Sequence, residues 1–536
     1  MCRQVTFHIK ANLMSSFSVN VLHEAPFVIV ELSGRLNAHS VSAFRNVVEE
    51  LDADDERCII LNLSDLEFLD SAGLRVLLLL AKRLDKQGKK GFLTNVNAPV
   101  GTILDIGGFG ALFHRSTSVE DAKARATENG ISAKGPVAKS MPQSHLTLTI
   151  PDVYRAGYEK ARLVDAAAAE LYMKHTTLGD PAADAVIEEI NQHPSELRDK
   201  WIYAGIESGE SGLRDAPEIM RDFFAEMETV PDWFDPVASV AGCRGFHRHS
   251  EMFLAAFVGA VLIEGFSTQI SKSFSITGRV VDQGVRRLTQ NNRHLVEIFM
   301  PSGLERQSDG WKLSVRVRMV HAQVRYLLSK SDEWDSSWGT PLSAAHIAYA
   351  TATFSALLLK RVGMLGIVLP KHEHDAFMMI WRYTGQLMGV MPDLLFTDEA
   401  AALHFYKIGT LCEPPPGLES QQLAHALINA APEVAGIKSD LARKKLVRKI
   451  YKTSRALIGD EMADALAYPP SRTMGVLESI RLGNRFSHAM QRLIPPLARW
   501  RRIGQFQTML DLSYIPGEGI GYRMPDWVYA EEDDAI

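Results

Sequence analysis

Cysteine is scarce in this sequence, and the few cysteines stand far apart. The chain contains four, Cys2, Cys58, Cys243 and Cys412, and no two of them have the CxxC spacing. This distribution argues against a zinc knuckle, a disulfide framework and a CxxCH site for covalently attached haem. So few scattered thiols suit a reducing compartment, and we expect a cytoplasmic protein.

Long hydrophobic runs are also missing. Residues 1–14 contain no apolar stretch of the length that a signal peptide needs, and no twin-arginine motif. The most apolar stretches are Met252–Ile263, which is too short to span a bilayer, and Thr353–Pro370, which Lys360 and Arg361 interrupt. The sequence therefore predicts buried helices, no transmembrane segment and no secretion.

Charge of one sign is not in strong excess. The net charge is −6, with 23% charged and 46% hydrophobic residues, which is typical of a soluble globular protein. Without a basic excess, nucleic acid is not the expected partner. A chain of 536 residues exceeds the size of one ordinary core, so we expect two or more domains.

The first domain is predicted from an alternation of strand and helix patterns over residues 15–128. β-branched runs at Phe27–Leu32 and Cys58–Leu63 indicate strands, whereas Val41–Leu51 and Ser71–Gln87 have helical periodicity. Continuous apolar runs are typical of strands that are covered on both faces. We therefore predict a small α/β domain in which helices flank a largely buried sheet.

A polar turn follows the second strand of this domain, in the sequence NLSDLEFLDSAGL that ends at Leu74. Asp70 and Ser71 stand where the next helix starts, and both residue types are favoured there as caps of free backbone N–H groups. The DSAGL motif also resembles the hallmark of STAS domains of anti-sigma factor antagonists. That resemblance implies regulatory phosphorylation of Ser71 by a partner kinase, and binding of an anti-sigma-like protein. A charge of about −2 beside Asp70 would alter an interface more than the fold.

The remaining boundaries follow from composition. Residues 129–146 are rich in Gly, Ser, Pro and Lys and predict a linker. Helical periodicity dominates residues 147–525, in long runs such as Phe253–Ile276 and Leu342–Arg361. No repeat of 20 to 50 residues is evident, so we predict one large, mostly α-helical domain, followed by an acidic tail over 526–536.

One predicted helix, Trp311–Leu328, places His321 between two different stripes. At about 100° per residue, Arg318 and Arg325 fall within roughly 20° of each other, and His321 lies roughly 60° from Arg318, towards an apolar arc. An imidazole for iron, an apolar wall and guanidiniums for propionates are what a haem requires. A hydrogen-bonded core histidine would produce the same pattern, so periodicity alone leaves both interpretations open.

Several motifs between about residues 200 and 420 resemble the oxygenase family that includes latex-clearing rubber oxygenases and mpaB-type oxygenases. These motifs are VPDWFDP (Val230–Pro236), TGR (Thr277–Arg279), RVRMVHAQVR (Arg316–Arg325), WGTPLS (Trp338–Ser343) and WRYTGQLMGVMPDLL (Trp381–Leu395). The resemblance implies that the helical domain binds a non-covalent b-type haem, with His321 as the proximal iron ligand and Arg318 and Arg325 around it.

The resemblance further implies a reaction and its partners. An oxygenase of this family would insert O₂ into an unsaturated apolar substrate, such as an isoprenoid or lipid, and cleave a C=C bond. The STAS domain would then act as its regulatory switch. The alternative is a haem or lipid sensor that signals through the STAS domain without turnover.

Oxygen-side residues are expected on the helix predicted over Gly278–Phe299. Alignment on RRL matches Arg287 to a family arginine, but Gln290 and Asn291 stand where the family pattern has Lys-Thr. A neutral amide thus replaces a cation able to stabilise anionic charge. Our catalytic candidates are Arg287, Asn291 and Glu264, although a salt-bridged core carboxylate is the commoner explanation for a residue like Glu264.

A basic run, Lys438–Arg455, spreads its cations around a predicted helix. Such a run is typical of a solvated helix face. The alternative is peripheral contact with an acidic lipid surface.

Overall fold

The computed structural model describes residues 3–8, 17–24, 27–36, 40–50, 58–69, 90–97, 113–125, 150–277 and 284–493, with short pieces between 73 and 104 and between 504 and 513. The chain divides into two compact units. One comprises Met1–Lys134, Phe299–Gly303 and Ala489–Gly519, and the other comprises Gly135–Ile298, Leu304–His488 and Ile520–Ile536. The linker predicted over 129–146 and the tail over 526–536 lie outside the described residues, so both remain predictions.

The first unit contains a six-stranded sheet whose spatial order follows the chain. Its strands are β1 (Arg3–His8), β2 (Phe17–Glu24), β3 (Phe27–Leu36), β4 (Cys58–Leu69), β5 (Lys90–Thr94) and β6 (His114–Ser116). Pairing is antiparallel from β1 to β3 and parallel from β3 to β6. Helix α1 (Val41–Glu50) lies in the crossover that a parallel β3–β4 pair needs, and α2 (Val119–Arg125) follows β6.

The central strands are buried on both faces. Val28, Ile29 and Val30 are consecutive in β3 and at most 3% exposed, which is possible only where helices or other segments cover both sides of the sheet. The predicted α/β domain with a buried sheet and flanking helices is therefore confirmed.

Lack of space for a side chain explains the glycine of the DSAGL motif, Gly73. A Cβ atom at this position would lie 2.6 Å from Cδ1 of Leu69 and 2.8 Å from Cγ of Leu36, so a larger residue would collide with the ends of β3 and β4. The chain can turn closely against the sheet only with glycine here. Ser71 itself lies outside the described residues.

The second unit is built from helices, as predicted. They are α3 (Arg155–Arg162), α4 (Ala166–Thr176), α5 (Pro181–Ile190), α6 (Ser195–Ser208), α7 (Glu218–Met227), α8 (Pro236–Arg248), α9 (Ser250–Ala256), α10 (Leu262–Phe266), α11 (Ile270–Ile276), α12 (Gly284–Ile298), α13 (Asp309–Ser329), α14 (Ala344–Ala352), α15 (Leu358–Met364), α16 (Lys371–Leu387), α17 (Glu399–Cys412), α18 (Leu418–Val434), α19 (Asp440–Ile458), α20 (Asp460–Ala465) and α21 (Val476–Leu493). Aspartates cap several of them: the side chains of Asp165, Asp180, Asp235 and Asp398 each accept from a backbone N–H of the first turn.

Two runs predicted as continuous helices each contain a π-helical turn. Phe257–Val261 separates α9 from α10, and Thr353–Leu357 separates α14 from α15. The two π turns pack together, with the rings of Phe257 and Phe354 5.5 Å apart. In the second π turn, the Thr353 hydroxyl donates to the Tyr349 carbonyl at 2.8 Å, which helps to satisfy a carbonyl at the change of helix type. Side-chain periodicity does not reveal such an extra residue.

Among the described residues, no single helix has both the length and the apolar character needed to cross a membrane. One bent pair, Pro236–Arg248 with Ser250–Phe266, meets those criteria only when its halves are joined across an 81° bend.

Candidate functional site

His321 lies deep in the second unit, near the middle of α13. The apolar side of this helix packs Val320, Val324 and Leu328 against residues of α11 and the segment before α14. His321 as a whole is nevertheless not completely buried in these surroundings. The predicted seam between apolar and cationic stripes is thus present around His321.

The His321 ring has no hydrogen-bond partner in the described part of the chain, and its Nδ1 is buried. Two other buried histidines of the same unit differ: Nε2 of His294 lies 2.9 Å from the Ser314 hydroxyl, and Nδ1 of His346 lies 2.9 Å from that of Ser343. A core histidine held by hydrogen bonds, the alternative interpretation of the sequence, is therefore not what the structure shows.

Electrostatics keep this imidazole neutral. Burial, and next the charge of Arg325, lower the pKa of His321 to about 3, so the ring is uncharged at neutral pH. Iron ligation requires a neutral imidazole nitrogen. A buried, neutral and unpartnered nitrogen beside an apolar wall fits a haem iron, and His321 is the residue that would hold it.

Arg318, one turn before His321, is paired with Asp180. Its Nε donates to Oδ2 at 2.5 Å and its Nη2 donates to Oδ1 at 2.8 Å, while the guanidinium lies 4.9 Å from the centre of the Phe223 ring. Both charged side chains are nearly buried. A bidentate pair of this kind fixes α13 against the start of α5.

Arg325, one turn after His321, is paired with Asp184 in the same helix α5. Its Nε donates to Asp184 Oδ1 at 2.7 Å, and its Nη1 donates to the Leu342 carbonyl at 2.9 Å. Two aspartates four residues apart thus pair with two arginines seven residues apart. This ladder of ion pairs aligns α5 and α13.

A glycine makes room for each of these ion pairs. A Cβ on Gly389, whose φ is +87°, would lie 2.1 Å from Asp180 Oδ2 and 2.8 Å from Arg318 Nε. A Cβ on Gly179 would lie 2.2 Å from Asp184 Oδ2. Gly389 belongs to the WRYTGQLMGV motif, so part of that motif serves the Arg318 pair.

These contacts give the two arginines a structural role that the sequence did not predict. The sequence predicts that Arg318 and Arg325 bind haem propionates, but in the structure each guanidinium already binds a carboxylate of α5. Their observed function is to hold the helix that carries His321. Propionate binding by either arginine stays a prediction.

Arg287 and Asn291 lie one turn apart on α12, which packs along α13. The charge of Arg287 is among those that lower the pKa of His321, and its guanidinium lies 4.2 Å from the centre of the Phe274 ring. Asn291 is half-buried. The structure therefore brings Arg287 into electrostatic range of His321. Catalysis by either residue stays a prediction.

Comparison with known proteins identifies the families that the two parts of the chain match. The family described as "ER-bound oxygenase mpaB/B'/Rubber oxygenase, catalytic domain" matches residues 244–489, and the STAS domain family matches residues 18–122. The chain is a STAS domain fused to a catalytic domain of the mpaB/rubber oxygenase family.

Individual relatives support both halves of the fusion. The rubber oxygenase of Streptomyces sp. (strain K30) is 22% identical over 264 residues, which cover 47% of this chain and 60% of that protein. The anti-sigma F factor antagonist of Paenibacillus polymyxa is 33% identical over 95 residues, or 17% of this chain and 80% of that protein. The latex clearing protein in its closed state is 20% identical with a TM-score of 0.53, and the match covers 66% of this chain and 95% of that one. This last likeness shows a shared fold.

Glu264 of this mpaB/rubber oxygenase domain belongs to a different part of the core. Its carboxylate forms a salt bridge with Arg361 and accepts a hydrogen bond from the Tyr406 hydroxyl at 3.4 Å. No contact between Glu264 and His321 occurs in the described ranges. The salt-bridged core carboxylate is thus the interpretation that matches the structure, and the catalytic role of Glu264 gains no support from it.

Sequence reasoning missed several residues near His321. His294 contributes to the electrostatics of His321, burial lowers the pKa of His294 to about 4, and its ring lies 6.5 Å from that of Trp381. Asp180 and Asp184, the partners of the arginines, were missed as well. The DPAAD sequence carried a usable signal, because its two acids are one helical turn apart and can pair with the two basic residues on α13.

No group of three or more His, Cys, Asp or Glu side chains is placed to hold a bare metal ion within the described ranges.

Proposed function

We propose that this protein is a haem b-dependent oxygenase that acts on an unsaturated apolar substrate, such as an isoprenoid or lipid, under the control of its STAS domain. The observation that carries the proposal is the neutral imidazole of His321, which is without a hydrogen-bond partner among the described residues. Membership of the mpaB/rubber oxygenase family supports it. We further propose a cytoplasmic location, because Cys58, Cys243 and Cys412 are free thiols.

Each part of the site has a distinct task in this proposal. A bound haem supplies the iron chemistry that activates O₂. His321 holds the group, and its neutral state at neutral pH keeps a nitrogen lone pair available. Val320, Val324 and Leu328 pack against α11 and the segment before α14, so the helix that carries His321 is held in a core that excludes water. Arg287 supplies a positive charge in the neighbourhood of His321 and is our candidate for stabilising anionic oxygen.

A second candidate function is favoured by the STAS fusion. Relatives of the STAS half are named anti-sigma factor antagonists, and a regulatory protein of that kind could use the helical domain as a sensor of haem or lipid. Such a sensor would bind its ligand without turnover.

Oxygen uptake distinguishes the two functions. We expect haem-loaded protein, supplied with an unsaturated isoprenoid such as squalene, to consume O₂ in proportion to carbonyl products, and the saturated analogue squalane to give no uptake. Oxygen uptake would be measured with an electrode and products by mass spectrometry. Reversible binding of diatomic gases, with no product from a panel of unsaturated isoprenoids and lipids, would favour the sensor and contradict the oxygenase.

Ser71 offers a separate test of the regulatory part. We expect Ser71→Asp to change the affinity for a kinase or anti-sigma-like partner, because it places a negative charge beside Asp70 at the helix start that the sequence predicts. Pull-down with the purified wild type and variant measures this, and Ser71→Ala serves as the uncharged control. The Soret spectrum should be identical in all three proteins. A change in the Soret band without a change in partner binding would contradict the switch.

A further inference from the structure

An open groove of about 730 Å³ lies on the second unit, where the N-terminal part of α16 meets the start of α17. Its apolar lining comes from Trp233, Leu369, Met378 and Met379. Methionine side chains are flexible and adapt to ligands of different shape. The groove therefore has a wall that suits an alkyl chain or another flexible apolar body.

One cation in this groove, Arg382, is not matched by an acid. Its guanidinium stacks on the Trp233 indole, 4.1 Å from the ring centre, and its Nε is buried without a hydrogen-bond partner among the described residues. Burial lowers the pKa of Arg382, and no carboxylate in the described ranges offsets that effect. Arginine remains charged nevertheless, so a partly desolvated positive charge faces the groove.

The other charged groups of the groove already have partners. Lys371 Nζ lies 2.6 Å from Asp375 Oδ2, and His374 Nε2 lies 3.1 Å from Glu399 Oε2. The carboxylate of Asp398 accepts the backbone N–H of Ala401 at 2.9 Å. Arg382 is thus the group that a ligand from outside the chain would satisfy.

The lining also selects the charge of that ligand. A carboxylate matches the planar fork of a guanidinium and carries a single negative charge. A doubly charged phosphate would be repelled more strongly by the three acids of the groove, Asp375, Asp398 and Glu399. A monoanion with an apolar body is favoured on both grounds.

From this geometry we propose that the groove binds an amphipathic carboxylate, such as a fatty or isoprenoid acid, with its carboxylate on Arg382 and its apolar chain along Met378 and Met379. Trp381, the neighbour of Arg382 in α16, lies 6.5 Å from the ring of His294 near His321, so one helix connects the groove with the candidate haem site. The proposal does not depend on haem or on oxygenase activity.

Equilibrium binding to the full-length protein tests the groove. We expect decanoate to bind, and its neutral analogue decanol to bind at least about tenfold more weakly, because only decanoate can form a charge-assisted pair with Arg382. Arg382→Gln should weaken decanoate binding by about tenfold or more and leave decanol binding unchanged. Titration calorimetry measures both ligands.

A matched variant distinguishes binding at Arg382 from a general effect of positive charge in the groove. Lys371→Met removes a cation of the same groove that is already paired, so decanoate binding should match the wild type. Equal affinity of the wild type for decanoate and decanol would overturn the proposal, even if Arg382→Gln failed to fold. Acetate binding as tightly as decanoate would overturn the amphipathic part, since the apolar wall would then contribute nothing.

Discussion

His321→Ala is expected to abolish the ligated Soret spectrum of the haem-loaded protein. The substitution removes the one imidazole near the apolar wall of α13 that is without a hydrogen-bond partner among the described residues, and therefore the bond to iron. The wild type should contain close to one b-type haem per chain, identified by its pyridine haemochrome. Absorption spectra of both proteins, expressed with added haem, measure the effect.

Two controls make this result specific. His404→Ala removes a partly exposed histidine that is paired with Asp165, and it should leave the spectrum unchanged. Free imidazole should restore a ligated spectrum to His321→Ala, because it can enter the space that the side chain vacates; restoration also shows that the variant is folded. An unchanged Soret band in His321→Ala would falsify the proximal assignment, and the oxygenase proposal with it.

Arg318→Leu is expected to destabilise the helical unit by about 3 to 5 kcal/mol, because it leaves the Asp180 carboxylate nearly buried without its cation. Chemical denaturation followed by far-UV circular dichroism measures the loss. The reason is structural: Arg318 binds Asp180 through two hydrogen bonds.

A double-mutant cycle distinguishes the stabilising ion pair of Arg318 with Asp180 from direct binding of a propionate. Asp180→Asn removes the charge but keeps a side-chain oxygen to cap α5, so the double variant Arg318→Leu with Asp180→Asn should recover most of the stability lost in Arg318→Leu. Haem retention should recover with it. Retention that stayed low in the stable double variant would show instead that Arg318 binds the propionates directly.

Local patterns predicted several elements of this fold. The strands expected at Phe27–Leu32 and Cys58–Leu63 begin at the residues predicted and continue to Leu36 and Leu69. The helix expected over Trp311–Leu328 extends from Asp309 to Ser329. The hydrophobic patterns that predict strands and helices involve residues close together in the chain, so they can be read from a single sequence.

Pairs of residues far apart in the chain were not predictable in this way. Arg318 and Asp180 are 138 positions apart, and no local pattern reports that they meet. The arginine stripe therefore indicated that the guanidiniums bind anionic groups, but it did not indicate which ones. In the structure they are carboxylates of α5. The unpartnered ring of His321 was equally hidden, since hydrogen bonding depends on packing of several helices and not on helical position.

The paired π turns constrain how this domain can change in length. Each π turn holds one residue more than an α-helical turn would, so a single deletion within Phe257–Val261 restores α geometry with the residues beyond it in their present orientation, whereas a deletion in a flanking α-helix rotates all that follows by about 100°. Glu264 lies three residues beyond the first π turn and Arg361 four beyond the second, and the two form a salt bridge. A deletion between a π turn and its charged residue, in α10 or α15, would therefore point one of these charges away from the other. Single deletions are expected to be tolerated better within the two π turns than in these short helices.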